Sequence, residues 1–338
     1  MTDTKPAARP ASDGPVLSLI VPMYNEAAVI PILLERLTQV LTSLGESYEI
    51  VLVNDGSTDE TAELLEVACD ANPNLRVIHF SRNFGKEVAL TAGLDYTSGQ
   101  AVVPMDADLQ DPPELIETLL ERWRAGYEVV HCRRRDRNAD SWIKRVTAHM
   151  FYALMSRIAG IDVPANSGDF RLMDRRVVVA LRQLRERNRF MKGLFAWVGF
   201  RQTFVDYERP ARAAGTTKFR YWRLWTFALD GITGQSTVPL RVAGYLGLLS
   251  AIVAIIYGIY LILRTLTSGV DVPGYASLMV AVLLMGGTQL IVLGIIGEYL
   301  GRVLEESKNR PLYIISGWRG FGPLADKDLE NAGAIIPH

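Results

Sequence analysis

From Val16 to about His131, short runs of consecutive apolar residues alternate with longer segments whose apolar positions return every three or four residues. Leu17 to Val21 has the length and continuity of a buried strand, and Tyr24-Asn25-Glu26 reads as its exit loop. Val29, Leu33, Leu37, Val40, Leu41 and Leu44 then recur at helical spacing, with Pro31 tolerated in the first turn. A second strand, Tyr48 to Val53, ends in Asn54-Asp55-Gly56. Ser57 and Glu60 have the spacing of a capping box opening a helix through Leu64, Leu65 and Ala68. Arg76 to Phe80 and Ala101 to Met105 are predicted as the third and fourth strands. A helix through Leu115, Leu119 and Trp123 starts from Pro112-Pro113, and Tyr127 to His131 is the fifth strand. Strands alternating with helices predict a parallel sheet covered on both faces.

Past Arg133 the pattern loosens into a helix near Trp142 to Ile158, a strand over Asp169 to Met173, a helix from Asp174 and a strand over Gln202 to Tyr207. Two later runs change the class of protein. Arg241 and Arg264 enclose 22 uncharged residues, and Asp271 and Glu298 enclose 26. A helix of about 20 such residues crosses a hydrocarbon layer of about 30 Å, so both runs predict transmembrane helices rather than a buried soluble hairpin. Arg220, Arg223 and Arg241 precede the pair, and Arg302, Lys308 and Arg310 follow it. The positive-inside rule therefore puts both termini and the large domain in the cytoplasm, on a multi-pass inner-membrane protein. The mix of aromatic, Arg and Leu residues from Phe219 to Ile232 suits an amphipathic helix in the headgroup layer, the alternative being a plain linker helix. The chain thus divides into a disordered lead-in (1–15), an α/β domain (16–218) and a juxtamembrane helix (219–240). Transmembrane helices (242–263 and 273–297) and a cytoplasmic C-terminal tail (298–338) follow.

Bulk charge adds little, since 36 Lys and Arg balance 37 Asp and Glu, and nothing points to nucleic acid. Cys69 and Cys132 form no metal-binding or disulfide pattern. The local distribution is more informative. Arginine is dense between Arg122 and Arg223, which suits an anionic partner close to a membrane. Gly297 and Gly301, with Gly294, permit close helix contact within the hairpin or between protomers of a homo-oligomer.

In open α/β sheets ligands bind beyond the carboxyl ends of the strands. Here those ends carry Tyr24-Asn25-Glu26, Asn54-Asp55-Gly56 and Asp106-Ala107-Asp108-Leu109-Gln110-Asp111. Two carboxylates at i, i+2 and an amide oxygen beyond them, Asp106, Asp108 and Gln110, suit Mg²⁺ or Mn²⁺ completed by substrate phosphates. Exposed Asp pairs in loops are common, so the position at a strand end gives this one its weight.

Four ordered segments resemble glycosyltransferase family 2, with its GT-A fold: Val21-Pro22-Met23-Tyr24-Asn25-Glu26, Asn54-Asp55-Gly56-Ser57-Thr58-Asp59, Asn83-Phe84-Gly85-Lys86, and Asp106 to Pro113. With the paired C-terminal spans, the chain is similar to the polyprenyl-phosphate glycosyltransferases from about Leu17 to about Glu305. The resemblance implies a GT-A nucleotide-sugar-binding domain on a two-helix transmembrane hairpin. It assigns Pro22, Tyr24, Glu26, Asp55, Lys86 and Asp106 to the donor, and Asp108 and Gln110 to the metal. It assigns Arg134, Arg137, Arg145, Arg212 and Lys218 to the acceptor phosphate, a role arginine's forked donors suit. Asp169, in Ser167-Gly168-Asp169-Phe170-Arg171, is the implied base. A lipid phosphate is already largely ionised, so Asp169 orients the acceptor, orients a sugar hydroxyl or takes a remaining proton.

The implied reaction transfers a sugar with inversion from a nucleotide-sugar to polyprenyl (undecaprenyl) phosphate. UDP-glucose is the first expectation for the donor; UDP-N-acetylglucosamine, GDP-mannose and a modified sugar are the others. The Gln-x-x-Arg-Trp of processive synthases and the GxxxxGK[ST] of P-loop NTPases are both absent. A non-catalytic, membrane-anchored nucleotide-sugar-binding protein is the alternative of a different class. It would not need both the acidic pair and the arginines.

Overall fold

The computed structural model describes residues 14–134, 167–187, 191–208, 238–268 and 274–321. They fall into two compact units. The first takes in residues up to 152, 161–218 and the chain from Arg310 onward; the second is centred on 219–309.

The first unit is an eight-stranded sheet. Its first half consists of β1 (Leu17–Met23), β2 (Tyr48–Asn54), β3 (Leu75–Phe80) and β4 (Ala101–Pro104), followed in the chain by α1 (Ile30–Ser43), α2 (Thr61–Ala71), α3 (Lys86–Tyr96) and α4 (Leu115–Arg124) respectively. The second half is β5 (Val129–Arg134), β6 (Ser167–Asp174), α5 (Arg175–Gln183), α6 (Met191–Trp197) and β7 (Gln202–Tyr207). The strand order is β7-β5-β6-β4-β1-β2-β3-β8, where β8 is Ile315–Arg319.

Alternate residues of the central strands serve opposite faces. Leu19 and Val21 of β1 and Ile50 and Leu52 of β2 pack with Leu33, Leu37 and Leu41 of α1 and with Ile116, Leu119 and Trp123 of α4. Ile20 faces the other way, toward Leu90 and Leu94 of α3 and Val177, Val178 and Leu181 of α5. A leucine buried as completely as Leu33 or Leu37 contributes about 1.5–3 kcal/mol. The helix expected from Asp174 forms as α5, whose cap is the Asp174 carboxylate accepting from the Arg176 N–H (3.0 Å).

Three expectations are corrected. The sheet is mixed: β6 runs antiparallel to both β4 and β5, and β8 runs antiparallel to β3. The strand–helix alternation holds for β1 to β4, whose mutual pairings are all parallel, and does not fix the direction in which later strands join the sheet. Secondly, α3 occupies a stretch for which no helix was expected. Residues Ala89 to Leu94 are all buried, so no apolar stripe stands out from a polar face. A Cβ on Gly93 would lie 2.1 Å from Ile20 Cγ2, which shows how closely α3 rests on β1. Thirdly, Ser57 and Glu60 do not form a capping box. Helix α2 starts at Thr61 behind Glu60, which makes no side-chain cap bond. Instead Asp59 accepts from the Thr61 N–H (3.1 Å), and Ser57 Oγ accepts from the Asn25 N–H (2.9 Å), serving the β1 exit loop.

The second unit contains α7 (Val238–Ser268) and α8 (Tyr275–Ser307), which pack against each other. Both are long and apolar enough to cross a membrane: mean hydropathy reaches 2.5 over Leu240–Thr267 and 2.3 over Leu278–Ser307. At 31 and 33 residues they run about 46 and 50 Å, longer than the expected spans. Hydroxyls within them donate to the carbonyl four residues back, Ser250 to Leu246 and Thr288 to Leu284, which satisfies these groups inside the helix. Glu298 and Arg302 neutralise one another one turn apart (3.1 Å). The expected lead-in lies almost wholly outside the described residues, as does all but the end of the juxtamembrane helix.

Candidate active site

Each parallel strand from β1 to β4 hands its carboxyl end to a loop, and the four loops meet around a cavity of about 320 Å³. From β1 come Pro22, Met23, Tyr24 and Glu26. Asn25 adopts a positive φ of 55°, and its own Oδ1 secures the turn by accepting from the Thr58 N–H (2.8 Å). From β2 comes Asp55, followed by Gly56 at φ 63°. A Cβ there would meet the Arg82 carbonyl carbon at 2.3 Å, so only glycine lets this turn lie against the loop after β3. That loop brings Asn83 and Gly85 to the cavity, and Lys86 at the first position of α3. From β4 come Asp106, Ala107 and Asp108. All six residues expected to hold a donor therefore line one cavity, with Asp108.

Hydrogen bonding gives several of them fixed positions. Asp55, 3% exposed, accepts from the Phe84 N–H at 2.7 Å and the Gly85 N–H at 3.0 Å, so it anchors the neighbouring loop as well as walling the cavity. Burial pushes its carboxyl pKa up, and the two amides pull against that shift. Lys86 Nζ bridges Asp106 Oδ1 (2.6 Å) and Asp169 Oδ2 (2.7 Å). Burial would lower the lysine pKa, but the two carboxylates outweigh it and hold the ammonium charged well above its ordinary range. The same pair offsets the unfavourable placement of a cation at a helix N-terminus. Asp169 is itself set by Arg171, a buried guanidinium lying 4.1 Å over the Phe195 ring. Arg171 donates to the carbonyls of Gly168 (2.6 Å) and Asp169 (3.3 Å), and burial lowers its pKa to about 10.

Negative charge accumulates on the opposite wall. Glu26 has its pKa raised first by burial, then by Asp108, Asp59 and Asp106. A carboxylate whose folded pKa is raised destabilises the fold at pH values above that pKa and ceases to do so on protonation. Glu26→Gln is therefore expected to raise Tm by about 1–3 °C at pH 7, with the gain shrinking as pH falls through the raised Glu26 pKa. Thermal unfolding of both proteins across pH 4–8 checks this; a lower Tm for the variant at neutral pH would contradict it.

A cation would relieve the same crowding. Asp106 and Asp108 present hard oxygens to the cavity, whereas Gln110 is 6% exposed and is absent from its lining. Leu109 takes φ 54°, and the Gln110 N–H turns back to Asp108 Oδ1 (3.1 Å). The Gln110 backbone thus props Asp108. Among the described residues no three His, Cys, Asp or Glu side chains converge as a self-contained metal site. Two carboxylates fit a cation that takes its remaining oxygens from phosphate and water.

Of the residues expected to hold an acceptor, Arg134 ends β5 opposite Tyr207 in the ladder. Arg137, Arg145, Arg212 and Lys218 lie outside the described residues. Arg133 pairs with Asp206 across β5 and β7 (2.6 and 3.1 Å) and lies 5.2 Å over Phe204, a structural engagement. The Lys86–Asp169 bridge spans 83 positions, and no local pattern announces it.

Comparison with known proteins gives matches to two family profiles: Glycosyl transferase family 2 over residues 18–182, and the GtrB C-terminal hairpin over 238–303. An uncharacterized glycosyltransferase of Synechocystis sp. is 57% identical over 90% of this chain and 96% of its own. The bactoprenol glucosyl transferase of Shigella phage SfV is 47% identical over 88% of this chain and 97% of its own. The uncharacterized glycosyltransferase YkcC of Bacillus subtilis is 45% identical over 88% and 92%.

Proposed function

The chain belongs to glycosyltransferase family 2, and from that premise we propose that it moves one sugar from a nucleoside diphosphate donor to the phosphate of a polyprenyl lipid. The observation that carries this reading is the presence, in one chain, of an acidic cavity of donor size and a hairpin of two apolar helices. The relative from Shigella phage SfV, named for glucosyl transfer to bactoprenol, supports a polyprenyl acceptor and makes glucose the first candidate sugar. UDP-glucose is accordingly the proposed donor, ahead of UDP-N-acetylglucosamine, GDP-mannose and modified sugars.

In this reading Pro22, Tyr24, Glu26 and Asp55 hold the nucleoside, and Lys86 lies near the departing diphosphate. Asp106 and Asp108 hold Mg²⁺ or Mn²⁺, which supplies Lewis-acid stabilisation of the leaving charge when bound. An oxygen of the lipid phosphate attacks the anomeric carbon as its bond to the diphosphate oxygen breaks. One displacement inverts the anomeric centre. Asp169 orients Lys86, and a phosphate acceptor that is already ionised leaves little proton for it to remove. Arg134, Arg137, Arg145, Arg212 and Lys218 are the proposed cradle for the acceptor phosphate. The basic flanks of the hairpin favour both ends and the catalytic unit on the cytoplasmic side of the inner membrane.

Purified full-length protein incubated with undecaprenyl phosphate and each of UDP-glucose, UDP-N-acetylglucosamine and GDP-mannose tests the proposal. Glycolipid is expected from UDP-glucose, lost with EDTA and restored by Mn²⁺ or Mg²⁺. Folded protein that yields no glycolipid from any donor would sink the reaction. Turnover indifferent to EDTA would sink the metal.

A further inference from the structure

The C-terminal stretch was expected to be a tail, yet within the first unit it supplies the edge strand β8. Its contacts converge on the segment that carries Lys86. Tyr313 stacks on Phe80, the last residue of β3, with ring centroids 5.2 Å apart and planes 15° apart. Its phenol O–H donates to Asp95 Oδ2 (2.9 Å), one residue short of the end of α3. One side chain thus grips both ends of the segment from Ser81 to Leu94, which contains Asn83, Gly85 and Lys86 of the cavity wall. The grip is reinforced locally. The Ser81 N–H donates to the Ile314 carbonyl (3.0 Å), and Phe80 meets Phe84 edge to face at 5.6 Å. Phe84 is in turn the residue whose N–H reaches Asp55. From Tyr313 to the cavity there is an unbroken line of contacts: Tyr313, Phe80, Phe84, Asp55.

We propose that Tyr313 is a positioning residue for donor binding, a staple from the C-terminal strand that holds the loop after β3 and the start of α3 in their binding geometry. The inference rests on the reading of this cavity as the donor site. An unstapled loop has to be ordered by the donor at the donor's expense, so affinity falls while the chemistry of bound donor is kept.

Full-length Tyr313→Ala is expected to raise KM for UDP-glucose roughly tenfold with kcat changed less than about twofold. Tyr313→Phe keeps the stack, loses the bond to Asp95 and should raise KM about twofold. Arg319→Ala breaks the β8 pair with Asp70, away from the loop, and should leave KM unchanged. Amide hydrogen exchange over Ser81–Lys86, measured without nucleotide, should quicken in the Tyr313 variants and not in Arg319→Ala. An unchanged KM in Tyr313→Ala, an equal rise in Arg319→Ala, or unaltered exchange over Ser81–Lys86 would each overturn the staple. If the Ala variant does not fold, Tyr313→Phe decides by itself, through its KM and its exchange. If the wild-type protein does not use UDP-glucose, the donor reading fails, and the exchange measurement still judges the staple.

Discussion

Replacing Asp108 with Asn is expected to cut sugar transfer roughly 10³-fold while the protein stays folded and membrane-inserted. The substitution is nearly isosteric. The Gln110 N–H that turns back to Asp108 Oδ1 (3.1 Å) finds the same carbonyl oxygen in Asn, so the loop after β4 keeps its shape. What disappears is one of the two carboxylates lining the cavity at the end of β4, and with it half the charge offered there to a divalent cation. Asp108 is also the leading charged neighbour that raises the Glu26 pKa, so its neutralisation eases the fold. Loss of activity with an unchanged or slightly higher Tm is therefore the signature of a carboxylate kept for binding at some cost in stability. Initial rates of glycolipid formation over a Mn²⁺ titration, beside a thermal melt, make the measurement. Activity within tenfold of wild type at every Mn²⁺ concentration would remove Asp108 from the machinery.

How far such a site can be read without coordinates depends on whether its geometry is local. The loops after β1, β2 and β4 were legible because each follows an apolar run, Leu19 to Val21, Ile50 to Val53 and Ala101 to Met105, and strand ends in such sheets point at ligands. Spacing alone could not show the backbone reversal after Asp108, where the left-handed Leu109 turns the next peptide back onto its carboxylate. Helix α3 was hidden by its own burial, and β8, Ile-Ser-Gly-Trp-Arg, has neither alternation nor an apolar run. It pairs as a strand because β3 offers an open edge, and the chain leading into it is held by Tyr313 on Asp95 of α3. Asp169 was legible as a residue type and not as a geometry, since its partner lies 83 positions earlier.

That long-range pair sets the second large effect. Lys86→Met removes the one ammonium that bridges Asp106 and Asp169 and leaves two carboxylates facing the space it filled. Activity is expected to fall about 10²- to 10³-fold, through loss of the cation near the leaving diphosphate. Tm should fall as well, because two like charges are then left close together without the cation between them. The two losses are separable. Adding Asp169→Asn to Lys86→Met removes one of the two like charges, so the double variant should recover most of the Tm difference. Its activity should stay as low as that of the single variant, since no cation has been restored. A double variant that recovered activity in step with Tm would make Lys86 a structural bridge only. Stability regained without activity would instead place its ammonium among the groups that meet the reacting molecules, with Asp169 as the residue that aims it.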